Sequence, residues 1–228
     1  MFEQPINYPC AIADQTDEGA EAALNWLLNH MQTGEKLTIW VAQKRVLGNN
    51  DFLRKLSKYE GRGLTIVTKN PIHRANGPVL VMYPDVDNLA YSTSAQGITA
   101  LAVVQWTDKL ETWAKEVNAE IIHTLEPEVD RRSSYGISPE PELTPEIIEG
   151  LQRITSAINH SNTIAGSGYD KDETVCVLLQ LHDAGIEMPA KRMAEWAIAH
   201  GWRSDNPKEL MTWVKKINSG TRPRISRY

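Results

Sequence analysis

The sequence predicts an α/β domain with an open, mainly parallel, Rossmann-like sheet, followed by an all-helical domain of about four helices. Three observations support this fold class. Before residue 125, short apolar runs rich in β-branched residues alternate with helical patterns, as in parallel sheets with covered faces. After residue 144, every apolar pattern repeats at helical spacing. Between them lies a charged, proline-containing segment without apolar periodicity, which is typical of a domain boundary.

These patterns divide the chain into four parts. We predict an α/β domain over residues 1–125, a charged proline-rich linker over 126–143, a helical domain over 144–220 and a basic tail over 221–228. Terminal segments of this kind are usually poorly ordered, so we expect the tail to be mobile unless a partner orders it.

The elements of the first half are bounded by recognisable signals. Thr16 is placed to cap the first helix, and Asn49 or Asn50 to cap the second. Strands are predicted at 37–42, 64–68, 79–83 and 98–106, with 10–13 and 120–123 as further strands at the two ends.

One connection in this half does not fit the alternation of strands and helices. Only ten residues separate the strand ending at Thr68 from the strand starting at Val79, which is short for a parallel crossover. The two strands are either antiparallel, which would make the sheet mixed, or joined by an irregular crossover.

Polar residues follow several strands, at the carboxyl rim where open α/β sheets bind ligands. This rim could position a phosphate, a metal or a polar small molecule. The alternative interpretation is that these residues are ordinary turn, cap and solvated residues. The candidate ligand-binding residues are Asp14, Lys44, Lys69, His73, Arg74, Asp85, Asp87 and Asp108.

No motif in the sequence identifies a reaction. There is no G-x-G-x-x-G turn, no G-x-x-x-x-G-K-[ST] loop and no G-x-S-x-G nucleophile elbow. Asp85 and Asp87 could offer two hard oxygens to a divalent cation, although such a pair arises readily by chance. The six histidines show no metal-ligand spacing and are expected on the surface or in packing. We therefore predict neither a cofactor nor a resident metal.

In the second half, caps and stops agree with the helical periodicity. Thr144 and Pro145 mark a helix start, and Asp170 with Glu173 resembles a capping box. Two of the predicted helices, joined by a glycine-containing turn near Gly185, have the layout of a helix-turn-helix unit. Its second helix is expected to present Lys191, Arg192 and Glu195 outward.

The charge of the chain is distributed unevenly. Residues 126–150 contain seven acidic residues and two arginines, whereas residues 188–228 contain nine basic and three acidic residues. The basic end either contacts an anionic partner, such as nucleic acid or an acidic protein, or pairs with the acidic linker of its own chain. The candidate partner-binding residues are Lys191, Arg192, Arg203, Lys215, Lys216, Arg222, Arg224 and Arg227.

Composition argues against a membrane or secreted protein. No apolar run approaches the roughly 20 residues of a membrane span, and the N-terminus lacks the regions of a secretory signal. Cys10 and Cys176 lie in different halves and are expected as free thiols in the cytoplasm.

The leading hypothesis is a non-catalytic two-domain binding or regulatory protein whose helical domain contacts nucleic acid or a protein. The second is an enzyme or small-ligand binder that uses the carboxyl rim, with Asp85 and Asp87 as metal-binding or acid–base groups. The third is a structural or assembly protein.

Overall fold

The computed structural model describes residues 5–68, 70, 72–106, 109–124, 140–158, 162–202 and 205–226. These residues divide into two compact units, one within Ile6–Asp130 and one that groups Pro5 with the residues within Arg131–Tyr228. The first is a parallel α/β domain and the second is helical, so the predicted fold class is confirmed. Of the predicted linker, only residues 140–143 are described.

The described strands of the sheet domain form one six-stranded sheet, parallel throughout, in the order β3-β2-β4-β5-β1-β6. The central strands consist of apolar residues buried on both faces, as expected for a sheet covered by helices. The strands are β1 (Cys10–Ala13), β2 (Leu37–Val41), β3 (Leu64–Thr68), β4 (Arg74–Met82), β5 (Gln96–Val104) and β6 (Glu120–His123).

Five helices are described in this domain. Ala23 and Leu27 of the first helix pack with Leu53 of the third and with alternate strand residues on one face of the sheet. Leu89 and Trp113, in the fourth and fifth helices, are fully buried but lie outside that cluster, as expected for helices on the opposite face. The helices are α1 (Asp17–His30), α2 (Lys44–Asn49), α3 (Asp51–Ser57), α4 (Val86–Thr93) and α5 (Glu111–Glu116).

The short connection before β4 is an irregular crossover, and the antiparallel alternative is wrong. Both β3 and β4 pair in parallel with β2, which lies between them. Because β4 starts at Arg74, only residues 69–73 make the connection. Within it Ile72 is buried, and the carbonyl of Asn70 accepts a 2.9 Å hydrogen bond from the Trp40 indole of β2. Residues 70, 72 and 73, which are the described residues between β3 and β4, belong to no helix.

The second unit contains helices around its own apolar core. Thr144 caps the first of them as predicted, because its side chain accepts a hydrogen bond from the Ile147 amide. The predicted capping box is wrong: the second helix already begins at Tyr169 after Gly168, whose φ of +135° suits glycine, and Asp170 is buried in its first turn. The helices are α6 (Pro145–Ala157), α7 (Tyr169–Asp183), α8 (Ala190–Ala199) and α9 (Asn206–Asn218).

The described part of the C-terminal tail is fastened to α7, which corrects the expectation of a mobile tail. The buried ammonium of Lys171 donates a hydrogen bond to the carbonyl of Arg224 and lies 2.8 Å from the Asp172 carboxylate. That carboxylate accepts a 2.8 Å hydrogen bond from the amide of Ser226. We call this arrangement the tail contact.

Among the described residues, no helix is both long and apolar enough to cross a bilayer.

Candidate functional site

The strand order places a crevice at the carboxyl edge of the sheet. Connections from β1 and β2 run toward one side of the sheet, and those from β3, β4 and β5 toward the other. Since parallel crossovers are right-handed, the two groups of connections leave on opposite faces. The connections of neighbouring strands diverge between β2 and β4. Ligands of open α/β sheets bind at such a switch point.

Backbone hydrogen bonds continue the sheet pairing one residue past the strand ends and align the residues at this edge. The Tyr83 amide donates to the Val104 carbonyl at 2.8 Å, and the Gln105 amide to the Ala13 carbonyl at 2.9 Å. Tyr83 and Asp14 therefore lie two strand spacings apart, or roughly 10 Å.

Asp14 and His123 form a polar pair at one end of this edge. His123 Nδ1 lies 2.8 Å from Asp14 Oδ2, and the other carboxylate oxygen accepts hydrogen bonds from the amide and hydroxyl of Thr16. Burial acts to raise the pKa of Asp14, but the bonds from Thr16 and His123 outweigh it and hold that pKa below its ordinary value. The side chain of His123 is 34% exposed, so part of the ring is accessible to solvent at this edge.

Two local features bring this pair together. The register between β1 and β6 shifts by one residue after Ile12, so that Ala13 is paired with His123 rather than Ile122. At the start of α1 the chain passes close to Asp14: a Cβ on Gly19 would lie 2.6 Å from the Asp14 carbonyl and carboxylate oxygens. A glycine at position 19 therefore leaves room for the carboxylate.

Tyr83 and Trp106 form an aromatic pair at the other end. Their ring centroids are 4.8 Å apart with an interplanar angle of 89°, and Trp106 is 52% exposed. Tyr83 has a φ of +57°, a conformation that costs a bulky residue about 1–2 kcal/mol. Its hydroxyl accepts a 3.2 Å hydrogen bond from the Asn50 side chain. Burial and the nearby Asp17 carboxylate raise the pKa of Tyr83, although the bond from Asn50 acts in the opposite direction.

Both pairs lie at the carboxyl edge of the sheet, and we refer to these residues as the carboxyl-edge site, with the carboxylate–histidine pair at one end and the aromatic pair at the other. Strained backbone at a non-glycine residue clusters at functional sites, and here it positions an aromatic ring at a switch point. The carboxyl-edge site consists of Asp14, Asp17, Asn50, Tyr83, Trp106 and His123.

The structure brings only part of the predicted rim to this site. Asp14 belongs to it, and Lys44 is exposed at the same edge as the first residue of α2. His73 and Arg74 lie at the opposite edge, because a parallel β4 must begin at the amino end of the sheet. Asp85 caps α4 by accepting a 2.7 Å hydrogen bond from the Asn88 amide.

The other predicted rim residues are Lys69, Asp87 and Asp108. Asp87 lies in the first turn of α4, whereas Lys69 and Asp108 lie outside the described residues. Across the described ranges, no cluster of three or more His, Cys, Asp or Glu side chains could hold a metal ion.

The basic residues of the helical domain are partly engaged within the chain. Glu140, at the end of the acidic linker, accepts hydrogen bonds from the amides of Lys191 and Arg192 at the start of α8, and its carbonyl accepts one from the Arg192 side chain. Arg222 makes two 2.7 Å hydrogen bonds with the Asp183 carboxylate.

Other candidate cations face solvent. Lys215 and Lys216 are exposed in the last turn of α9, and Lys216 lies 4.7 Å from the centroid of the Trp213 ring. The side chain of Arg224 is also exposed, whereas Arg203 and Arg227 fall outside the described part of the chain.

Helix α8 does not have the exposure of a DNA-reading helix. Its residues from Met193 to Ala199 are all buried, and so is Ala190. Glu195 is 2% exposed and lies 3.4 Å from the Lys191 ammonium, so the expectation that it points outward is wrong. A helix buried along this length cannot enter a nucleic-acid groove in this conformation.

Comparison with known proteins bears on the second unit. Residues 143–228 match a family model described as Domain of unknown function (DUF1889). The matched region corresponds to the helical unit and includes α6 to α9 and the tail contact. Comparison of the chain with the curated proteins and with the solved structures found no match.

Sequence reasoning misses most of the carboxyl-edge site. It accounts for Tyr83 and Trp106 as strand residues, and for His123 as a surface or packing residue. Their proximity depends on strand order, which the sequence does not show. One signal is present: each of the three ends or directly follows an apolar run, as Asp14 does.

Proposed function

We propose that the sheet domain binds a small organic ligand at the carboxyl-edge site. The observation that carries the proposal is Tyr83, whose ring is held by a left-handed backbone at a switch point and stands perpendicular to the exposed Trp106. Small-ligand sites are lined mainly by apolar and aromatic side chains with a few polar groups, and an aromatic pair near a carboxylate and a histidine is compatible with that composition. The Asp14–His123 pair adds a histidine that can exchange a proton with the ligand.

The test is a titration followed by NMR at the indole N–H groups. The chain has seven tryptophans, so Trp106→Phe assigns one signal by its loss. A mixture of small polar and heteroaromatic compounds should contain at least one that shifts the Trp106 signal in a saturable manner. Trp40 is fully buried and hydrogen-bonded to Asn70, so its signal is the internal control.

Two results would contradict the proposal. One is a broad compound set that leaves the Trp106 signal unchanged. The other is a bound compound whose affinity stays the same in Trp106→Ala and Asn50→Ala, since binding would then occur elsewhere. We place this function in the cytoplasm, which is supported by the unpaired cysteines Cys10 and Cys176.

A second candidate function is contact between the helical domain and nucleic acid. The supporting observation is that Lys215, Lys216 and Arg224 are exposed and that Lys216 lies 4.7 Å from the Trp213 ring centroid, because exposed cations and an aromatic ring suit a phosphate backbone with unstacked bases. A single-stranded oligonucleotide should bind more weakly as salt rises, and more weakly still when the three cations become alanine. Arg222→Ala is the matched control because Arg222 is paired with Asp183. Equal losses in both variants would contradict this candidate.

A further inference from the structure

The charge at the carboxyl-edge site opposes an anionic ligand. Asp14 and the exposed Asp17 contribute two carboxylates, and Glu18 follows in the first turn of α1. Among the described residues that form the site there is no lysine or arginine, and the ring of His123 is engaged by Asp14. Lys44 is exposed at the same edge but is not one of these residues, so a phosphate within the site would lie beside carboxylates, whereas a cation would be attracted.

The aromatic end of the site has the geometry that favours a cation. Tyr83 and Trp106 stand at 89° to one another and form two walls of a corner, with Trp106 open to solvent. Ring faces attract cations, and aromatic corners of this kind recognise alkylated ammonium groups. Asp17 is exposed in the first turn of α1, the helix that begins beside Asp14, and its carboxylate helps to raise the pKa of Tyr83.

We propose that the carboxyl-edge site takes an organic cation, with an alkylated ammonium group seated against the Tyr83 and Trp106 rings and Asp17 as its counter-ion. This inference rests on the proposed function and names the ligand class of the same site. The hydrogen bond from the Asn50 side chain to the Tyr83 hydroxyl orients the Tyr83 ring.

The experiment compares three probes on the whole chain, followed at the Trp106 indole signal. Choline carries a quaternary ammonium group, 3,3-dimethylbutan-1-ol has the same shape without the charge, and inorganic phosphate is the anion. Choline should bind about tenfold more tightly than its neutral isostere, because only the charged probe gains from the ring faces and the carboxylate.

The variants separate the two attractive groups. Trp106→Leu keeps an apolar side chain without a ring face, and Asp17→Asn removes the negative charge. Each substitution should lower the affinity for choline by about threefold to tenfold. Tyr59→Ala, at an aromatic 58% exposed elsewhere in the domain, and Glu60→Gln, at the amino edge of the sheet, are matched controls expected to change nothing.

The binding results distinguish the ligand class and the placement of the cation from the proposed function. Choline binding that is sensitive to Trp106→Leu and Asp17→Asn supports the inference. Preference for the neutral isostere or for phosphate, still sensitive to Trp106→Leu, overturns the ligand class and leaves the proposed function standing. Choline binding that is indifferent to both variants overturns the placement of the cation. Absence of binding by every probe and by the wider compound set overturns both claims.

Discussion

Asp14 shows how one residue can serve both the fold and the candidate site. It follows the buried strand β1, and its carboxylate accepts hydrogen bonds from the amide and hydroxyl of Thr16. Thr16 in turn caps α1. The same carboxylate orients His123 from β6. A carboxylate hydrogen-bonded in this way is stabilised in its charged form, so the pair also contributes to the free energy of unfolding.

We predict that Asp14→Asn lowers the free energy of unfolding by about 1–2 kcal/mol at pH 7. Because the pKa of Asp14 is lower in the folded state than in the unfolded state, its contribution is present above the unfolded value of about 3.9. The contribution is lost as the pH falls from that value through the folded pKa. The difference in stability between the wild-type protein and the Asp14→Asn variant should therefore shrink between pH 5 and the acid limit of folding, as measured by urea denaturation.

The matched control for Asp14→Asn is Asp51→Asn, because Asp51 is an exposed acid in the first turn of α3 that pairs with Arg54 on the surface. Its effect should be much smaller at pH 7. A destabilisation by Asp14→Asn that stays constant from pH 7 to the acid limit of folding would show that the loss comes from packing rather than from the charged hydrogen bonds.

At the scale of elements, the tail contact ties an extended segment to α7 through a buried ion pair. Lys171 and Asp172 are 7% and 5% exposed, and they also form hydrogen bonds with main-chain groups of Arg224 and Ser226. The Lys171 ammonium lies 5.8 Å from the Trp213 ring centroid as well. Removing one member of such a pair leaves a buried charge without compensation, which costs more than losing a surface pair.

We therefore predict that Asp172→Ala lowers the free energy of unfolding of the helical domain by about 3 kcal/mol. It should also expose residues 221–226, so that amide exchange at Ser226 becomes fast. Asp183→Ala, which removes the exposed partner of Arg222, is the matched control and should leave stability almost unchanged. Equal effects of the two substitutions, with Ser226 still protected, would contradict the role given to the tail contact.

Elements were predictable from sequence where local chemistry decides them. Thr16, Asn50 and Thr144 cap helices in the structure as their side chains suggested, and the apolar runs became strands. Errors arose where distant contacts decide. The connection before β4 depends on β2 lying between two strands, and the start of α7 depends on the backbone of Gly168 rather than on a capping side chain.

The candidate site was predictable only in its location. The rule that ligands bind beyond the carboxyl ends of strands selected the edge that holds Asp14. It could not select Tyr83, Trp106 and His123, because strand order brings Tyr83 to Trp106 and the register shift between β1 and β6 brings His123 to Asp14. The exposure of α8 was also misjudged: Lys191 and Arg192 suggested an outward face, but the other positions of that helix are buried.

At the scale of the whole molecule, the helical unit has the properties of an independent domain. Its core residues from α6, α7, α8 and α9 form one cluster, and the matched family model covers the same region. Domains of this size bury enough apolar surface to fold alone. The tail contact lies within this unit and would be retained in an isolated fragment.

We predict that a fragment of residues 140–228 folds without the sheet domain. It should unfold cooperatively in urea and retain the slow amide exchange expected of a packed core at Leu178 and Val214, which are fully buried. Leu178→Ala should lower its free energy of unfolding by about 2–5 kcal/mol, because a fully buried leucine leaves a cavity. Glu149→Ala, at a position of α6 outside the buried core, is the control.

A fragment that shows helical circular dichroism but no cooperative transition, and no difference between these two substitutions, would mean that its core packs only in the whole chain. The family match would then mark a segment of similar sequence rather than a folding unit.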